Sequence, residues 1–110
     1  RYYIAEFQKP QEEYDVWFGS EAEWAMTEID YGHNLFFIPA AINEALAKSP
    51  YGTDHTIEDV SMFERIDRTF YLIEVEPMSG GADTYLYYAP DGTLIKTTTQ
   101  DITITPDTQL

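Results

Sequence analysis

From Tyr2 to Phe7 the chain alternates, with Tyr3, Ala5 and Phe7 on one side and Tyr2, Ile4 and Glu6 on the other, the period of a strand. Lys9-Pro10-Gln11 interrupts the pattern as a hairpin turn. Tyr14, Val16 and Phe18 resume it while Asp15 and Trp17 point the other way, and Gly19 closes this second strand. After Ser20-Glu21-Ala22, Trp24 to Ile29 predicts a third strand, although Glu23, Ala25, Met26 and Glu28 suit a helix equally well.

At Ile38 the period changes. Ile38, Ala41, Ile42, Ala45 and Leu46 recur three and four apart and form one stripe of a helix running to Lys48. Pro39 fits the first turn, where its missing N–H costs nothing, and Glu44 and Lys48 make an i,i+4 pair. Pro50 and Gly52 stop the helix. So short a helix is not stable alone and needs a sheet to pack on. Thr56–Ile66, Phe70–Glu76, Thr84–Ala89 and Thr93–Thr99 are rich in β-branched and aromatic residues and predict four antiparallel strands in meander order. In the last hairpin Asp91 bonds its own backbone and Gly92 supplies a positive φ. Ile102 to Leu110 holds at most a short edge strand, limited by Pro106. The expected fold is α+β: an antiparallel sheet of about six or seven strands with one helix on one face.

The two faces of that sheet differ. Tyr3, Ala5, Phe7, Val16, Phe18, Tyr71, Ile73, Val75, Leu86 and Tyr88 share the phase expected to meet the helix. The opposite phase carries Tyr2, Ile4, Trp17, Phe70, Leu72, Tyr85 and Tyr87, rimmed by Glu6, Asp15, Glu74 and Glu76. One short helix covers one side only, so this aromatic face needs another cover: upstream residues, the C-terminal tail, a dimer mate, or a partner. The functional expectation is a protein or peptide partner bound by Tyr2, Trp17, Phe70, Leu72, Tyr85 and Tyr87. The alternative is a structural or assembly subunit whose aromatic face is buried in a homodimer or by a missing N-terminal segment.

The 110 residues suit one domain, and 44% hydrophobic with 15% aromatic residues place the chain outside the disordered class. A net charge of -14 repels phosphate backbones and anionic lipid surfaces, so nucleic acid and membranes are not the expected partners. The chain has no cysteine, which excludes disulfides and thiolate chemistry. No run reaches the ~18 apolar residues of a membrane span, and none of these residues is expected to form a signal peptide. Because the first residue is Arg1 inside a predicted strand, upstream residues are expected to have been removed or to be missing.

Candidate chemistry is sparse. Glu12-Glu13-Asp15 and Asp54-Glu58-Asp59 lack the spaced Asp and invariant Gly of a calcium loop and read as solvated surface. His33 and His55 have no His partner at i+4 and no triad pattern, and Gly80-Gly81 is a hairpin loop with no helix after it. No nucleophile–base pair can be named, so the expectation is not an enzyme; no cofactor or metal site is expected, with calcium at the two acid clusters as the alternative.

The chain also echoes itself. Tyr3-Ile4-Ala5-Glu6-Phe7 answers Tyr71-Leu72-Ile73-Glu74-Val75, and Val16-Trp17-Phe18 answers Leu86-Tyr87-Tyr88. The organisation read from this is a single domain over 1–110: strands of a degenerate first repeat that lacks its helix (1–32), a complete second repeat (36–100) and a tail (101–110). Ile38-Pro39-Ala40-Ala41-Ile42, Tyr71-Leu72-Ile73-Glu74-Val75 and Tyr87-Tyr88-Ala89-Pro90-Asp91-Gly92-Thr93-Leu94-Ile95 together resemble the PepSY-like, beta-lactamase-inhibitor-like family of periplasmic proteins from Bacteroidetes. In that family a Pro-Ala-Ala helix start, a Tyr-x-Val-Glu strand and an Asp-x-Asp-Gly-x-Leu hairpin recur. Ala89-Pro90 departs from that pattern, and Gly19-Ser20-Glu21-Ala22 has lost the Asp-Gly turn. The resemblance implies an α+β fold, an exported (periplasmic or secreted) protein, binding or inhibition of other proteins, calcium regulation in some members, and no catalytic residues.

Overall fold

In the computed structural model, which describes residues 1–110, the alternating stretches form one seven-stranded antiparallel sheet in which every strand pairs with its sequence neighbour. The strands are β1 (Tyr2–Lys9), β2 (Glu12–Gly19), β3 (Trp24–Gly32), β4 (His55–Arg65), β5 (Thr69–Pro77), β6 (Thr84–Tyr88) and β7 (Leu94–Thr98). The stretch from Trp24, equally compatible with helix, is a strand that runs on to Gly32. Pairing on both edges, with β2 and β4, overrides its local propensity. Between β3 and β4 lie a 3₁₀ turn (Leu35–Phe37) that periodicity did not reveal and the single helix α1 (Ala40–Lys48). Asn34 caps the 3₁₀ turn by accepting from the Phe36 N–H, and Ser49 closes the end of α1 by donating both its backbone N–H and its Oγ hydroxyl to the Leu46 carbonyl.

Helix α1 buries Ile42 and Leu46 on Ile29 and Tyr31 of β3, Val60 of β4, Tyr71, Ile73 and Val75 of β5, and Leu86 and Tyr88 of β6. Each side chain buried this way contributes about 1.5–3 kcal/mol relative to exposure. The helix does not reach β1 and β2. Tyr3, Ala5 and Phe7, expected in the core beneath it, are exposed, and Val16 and Phe18 only partly buried. The register puts these five on the helix side, since Tyr3 faces Phe18, Ala5 faces Val16, and Val16 faces Thr27 next to Ile29. The reason is width: nine helical residues make about 14 Å of rod, against seven strands spaced about 4.8 Å apart.

The other face has its own core, in which Trp17, Ala25, Met26, Phe63, Phe70 and Tyr87 pack with Ile104 from the C-terminal tail. Residues 101–110 are not an edge strand; they run as an irregular strap across the helix-free side. Pro106 and a Thr105–Thr108 turn, in which the Thr105 N–H donates to Thr108 Oγ1, bend the segment away from any ladder.

Candidate functional site

The six residues expected to bind a partner do share one face, but the chain covers it itself. Phe70 and Tyr87 are fully buried and Trp17 is 9% exposed, while Tyr2, Leu72 and Tyr85 are half-buried against the same cluster. Ile104 is the plug, with Ile102 and Leu110 packed beside it. With the strap seated, Trp17, Phe70 and Tyr87 are therefore core residues and present no open docking surface, a correction to the sequence expectation. Covering an aromatic face was required; the C-terminal tail meets the requirement because two apolar residues spaced by two, Ile102 and Ile104, flank the point where it crosses the sheet.

Arg65 fastens the strap. Its guanidinium donates to the carbonyls of Thr105 at 3.2 Å and Thr108 at 2.7 Å, forks onto Asp67, and lies 5.5 Å from the centre of the Phe70 ring. This fork holds the Asp67 carboxyl below its usual range. A second tie runs from the Tyr2 hydroxyl to both oxygens of Asp107, at 3.0 and 2.9 Å.

Next to the aromatic cluster the strap roofs a cleft of about 340 Å³ lined by carboxylates: Asp15, Glu28, Asp30, Asp59 and Glu74 from four strands, and Asp101 from the strap. The register brings them together, since Asp15 faces Glu28 and Asp59 faces Glu74. A bulge at Glu58 lets both Ile57 and Val60 face the helix while turning Asp59 into the cleft. Burial, then the charges of Asp15 and Asp30, push Glu28 up to about 7. Burial and hydrogen bonding to Asp30 push Asp59 up, a bond with Asp83 and burial raise Glu74, and burial with Glu6 raises Asp15.

These groups bind protons more tightly folded than unfolded, so the stability they contribute is complete below their ordinary values and is lost as pH rises through about 7. The urea midpoint is expected to fall between pH 5 and pH 9, with Glu28 alone responsible for about 1–2 kcal/mol after allowance for solvent screening. Glu28→Gln is expected to flatten that profile, and a midpoint that rises over this range would rule the burial of these carboxylates out.

Sequence reasoning placed Asp15 and Glu74 on the rim of this face but missed Glu28, Asp30, Asp59 and Asp101. Glu28 shares the phase of Met26 and was legible; Asp59 was not, because a bulge shifts its phase. The two acid clusters singled out in the sequence do not assemble, and no group of three or more His, Asp and Glu residues stands in metal-ligating geometry. His33 Nδ1 lies 3.1 Å from the Ile57 carbonyl, and His55 sits edge-on to Tyr51, 5.1 Å between centres.

The surface left open is the β1–β2 end of the helix side. Along β1 every residue from Tyr3 to Lys9 is exposed, Tyr3 at 54% and Phe7 at 47%. Phe7 stacks on Tyr14 at 4.7 Å, Lys9 lies over the same Tyr14 ring, and β1 pairs on one edge only. Near the β1–β2 turn, where Asn34 donates to Gln11, the 3₁₀ turn holds Phe36 at 85% exposure.

The chain matches the model of the family described as "Putative beta-lactamase-inhibitor-like, PepSY-like" over residues 1–96. Among solved structures, a BLIP-like protein from Bacteroides fragilis is 30% identical, with a TM-score of 0.75 over 99% of this chain and 74% of that one. A DUF2874 family protein from Bacteroides ovatus is 28% identical, with a TM-score of 0.78 over 88% and 68%. A structure from Bacteroides eggerthii described as "putative periplasmic proteins" is 26% identical, with a TM-score of 0.79 over 88% and 69%. No curated protein sequence matches. No helix is long and apolar enough to cross a membrane.

Proposed function

Since the chain belongs to the PepSY-like, beta-lactamase-inhibitor-like family, we propose that it is an exported, non-catalytic module that binds a protein partner by pairing an extended segment of that partner with β1. The observation that carries this reading is the state of β1: eight residues long, unpaired along one edge, and exposed from Tyr3 onward. An edge strand of this length is ordinarily blunted by charge, proline or a bulge, and β1 holds only Glu6 and a terminal Lys9. Its two faces define the partner. An incoming strand with alternating side chains sets one row beside Tyr3, Ala5 and Phe7 and the other beside Ile4, Glu6 and Gln8, with Asp15 the cross-strand neighbour of Glu6. An apolar–basic alternation sets apolar side chains beside Tyr3, Ala5 and Phe7 and a cation beside Glu6 and Asp15, in keeping with the net charge of -14.

The test uses an acetylated (Lys-Val)4 peptide and amide hydrogen exchange on the intact chain. Amides of β1 are expected to gain protection, and Tyr3→Lys with Phe7→Lys to weaken binding by about tenfold or more, as loss of two aromatic anchors does. Protection confined to the acid-lined cleft, or none at millimolar peptide, would reject the edge as the docking surface.

A further inference from the structure

The strap lies over groups that repel it. Asp101, itself exposed, lies in the roof of a cleft also lined by Asp15 of β2, Glu28 and Asp30 of β3, Asp59 of β4 and Glu74 of β5, and its charge bears on Glu74. Asp83 borders Glu74, and the Tyr85 hydroxyl donates to Glu74 at 3.5 Å. Tyr87 feels the charge of Asp101 as well. The cations on this side are few: Lys96 of β7, which faces Tyr87 in register, and Arg65 at the far end of the strap. Holding Asp101 and the strap over this carboxylate cluster costs less when some of the carboxylates carry protons or when cations screen them.

The strap is also lightly built. Its one backbone–backbone hydrogen bond, Thr108 N to Thr105 O, is internal, so no ladder ties it to the sheet. Its attachments are the Arg65 bonds to the Thr105 and Thr108 carbonyls, the Tyr2–Asp107 bonds and the apolar contacts of Ile102, Ile104 and Leu110. It lies outside the stretch that matches the family model. A segment held by a few side chains opens at lower cost than a strand within a sheet.

We propose that residues 101–110 are a charge-gated strap, closed over Trp17, Phe70 and Tyr87 when the carboxylates beneath are partly protonated or screened, and released when all are ionised at low salt. Release exposes the half-buried floor carboxylates more fully to water, so the closed form takes up protons relative to the open form. Closure is therefore favoured at mildly acidic pH and weakens as pH rises through neutrality, in keeping with the raised Glu28. When the strap lifts, it uncovers a second aromatic surface, separate from the β1 edge and independent of the function assigned to that edge.

The test reads Trp17. In a Trp24→Phe chain Trp17 is the sole tryptophan, and acrylamide quenching reports its access to solvent. Between pH 5.5 and pH 9 at low salt the quenching constant is expected to rise several-fold while the far-UV circular dichroism of the sheet is unchanged. Sodium chloride at 1 M, added at pH 9, is expected to restore protection. Asp101→Lys, which sets a cation over the carboxylates, is expected to keep Trp17 protected at pH 9, with Asp101→Asn intermediate. A constant that does not change with pH, a rise as large in Asp101→Lys as in the parent, or loss of the dichroism together with Trp17 protection would each overturn the proposal. The last of these would mean that the whole sheet unfolds rather than that the strap lifts.

Discussion

Replacing Phe70 by alanine is expected to lower stability by about 3–5 kcal/mol, the cost of emptying a closed aromatic site. Phe70 is fully buried, stacked on Phe63 at 5.0 Å between centres, 6.2 Å from the centre of Tyr87, and capped by Arg65. Its removal would leave a void that the sheet backbone cannot close, since Phe63 and Tyr87 are held on neighbouring strands. The Arg65 guanidinium, whose other bonds hold the strap, would lose the ring beneath it, so the strap should loosen as well. Urea unfolding checks the magnitude, with Ile66→Ala as the control, because Ile66 is 78% exposed and should move the midpoint by no more than about 0.5 kcal/mol. If Phe70→Ala costs no more than Ile66→Ala, the helix-free face is open in solution and the strap is not seated.

The second large effect falls on the opposite side of the sheet. Gly92→Val is expected to cost about 2–4 kcal/mol, combining the left-handed backbone penalty with overpacking. Gly92 has a φ of 92°, and a Cβ there would stand 2.7 Å from the Ala41 carbonyl oxygen in the first turn of α1. The hairpin cannot back away easily, because the Gly92 N–H donates to the Ala89 carbonyl and the Thr93 N–H to Asp91 Oδ1. The variant should therefore disturb α1 as well as the turn, and the measurement is amide exchange of α1 alongside the melting temperature. Faster exchange in the hairpin alone, with α1 unchanged, would show that the helix does not rest on this turn.

These two positions show how much was legible along the chain. The positive φ at Gly92 followed from Asp91-Gly92 between two strand-like runs, a local property of four residues. Its close approach to Ala41 did not, because that contact joins segments fifty residues apart. At Phe70 the facing was readable from alternation: the phase that sets Tyr71 and Ile73 toward α1 sets Phe70 and Leu72 away from it. Its burial was not readable, because exposure depends on what lies over a face. The same limit explains Tyr3 and Phe7, correctly placed on the helix side yet left open, since periodicity gives a direction and not the reach of the helix. The acid-lined cleft was half visible: Asp15, Glu28 and Glu74 keep the alternation, whereas a bulge at Glu58 moves Asp59 and a non-repetitive tail brings Asp101.

The amino-acid sequence alone left the stretch from Trp24 to be settled as a strand by pairing with β2 and β4. It determined an antiparallel sheet of about six or seven strands, the one helix and the side of the sheet on which almost every residue stands. These are set by steric periodicity and turn chemistry within a few neighbouring residues. The tertiary structure decided which of the two apolar faces is closed and which stays open. That choice rests on the width of α1 against the sheet and on where ten residues without periodicity lie down, both of them long-range packing outcomes that no local pattern encodes.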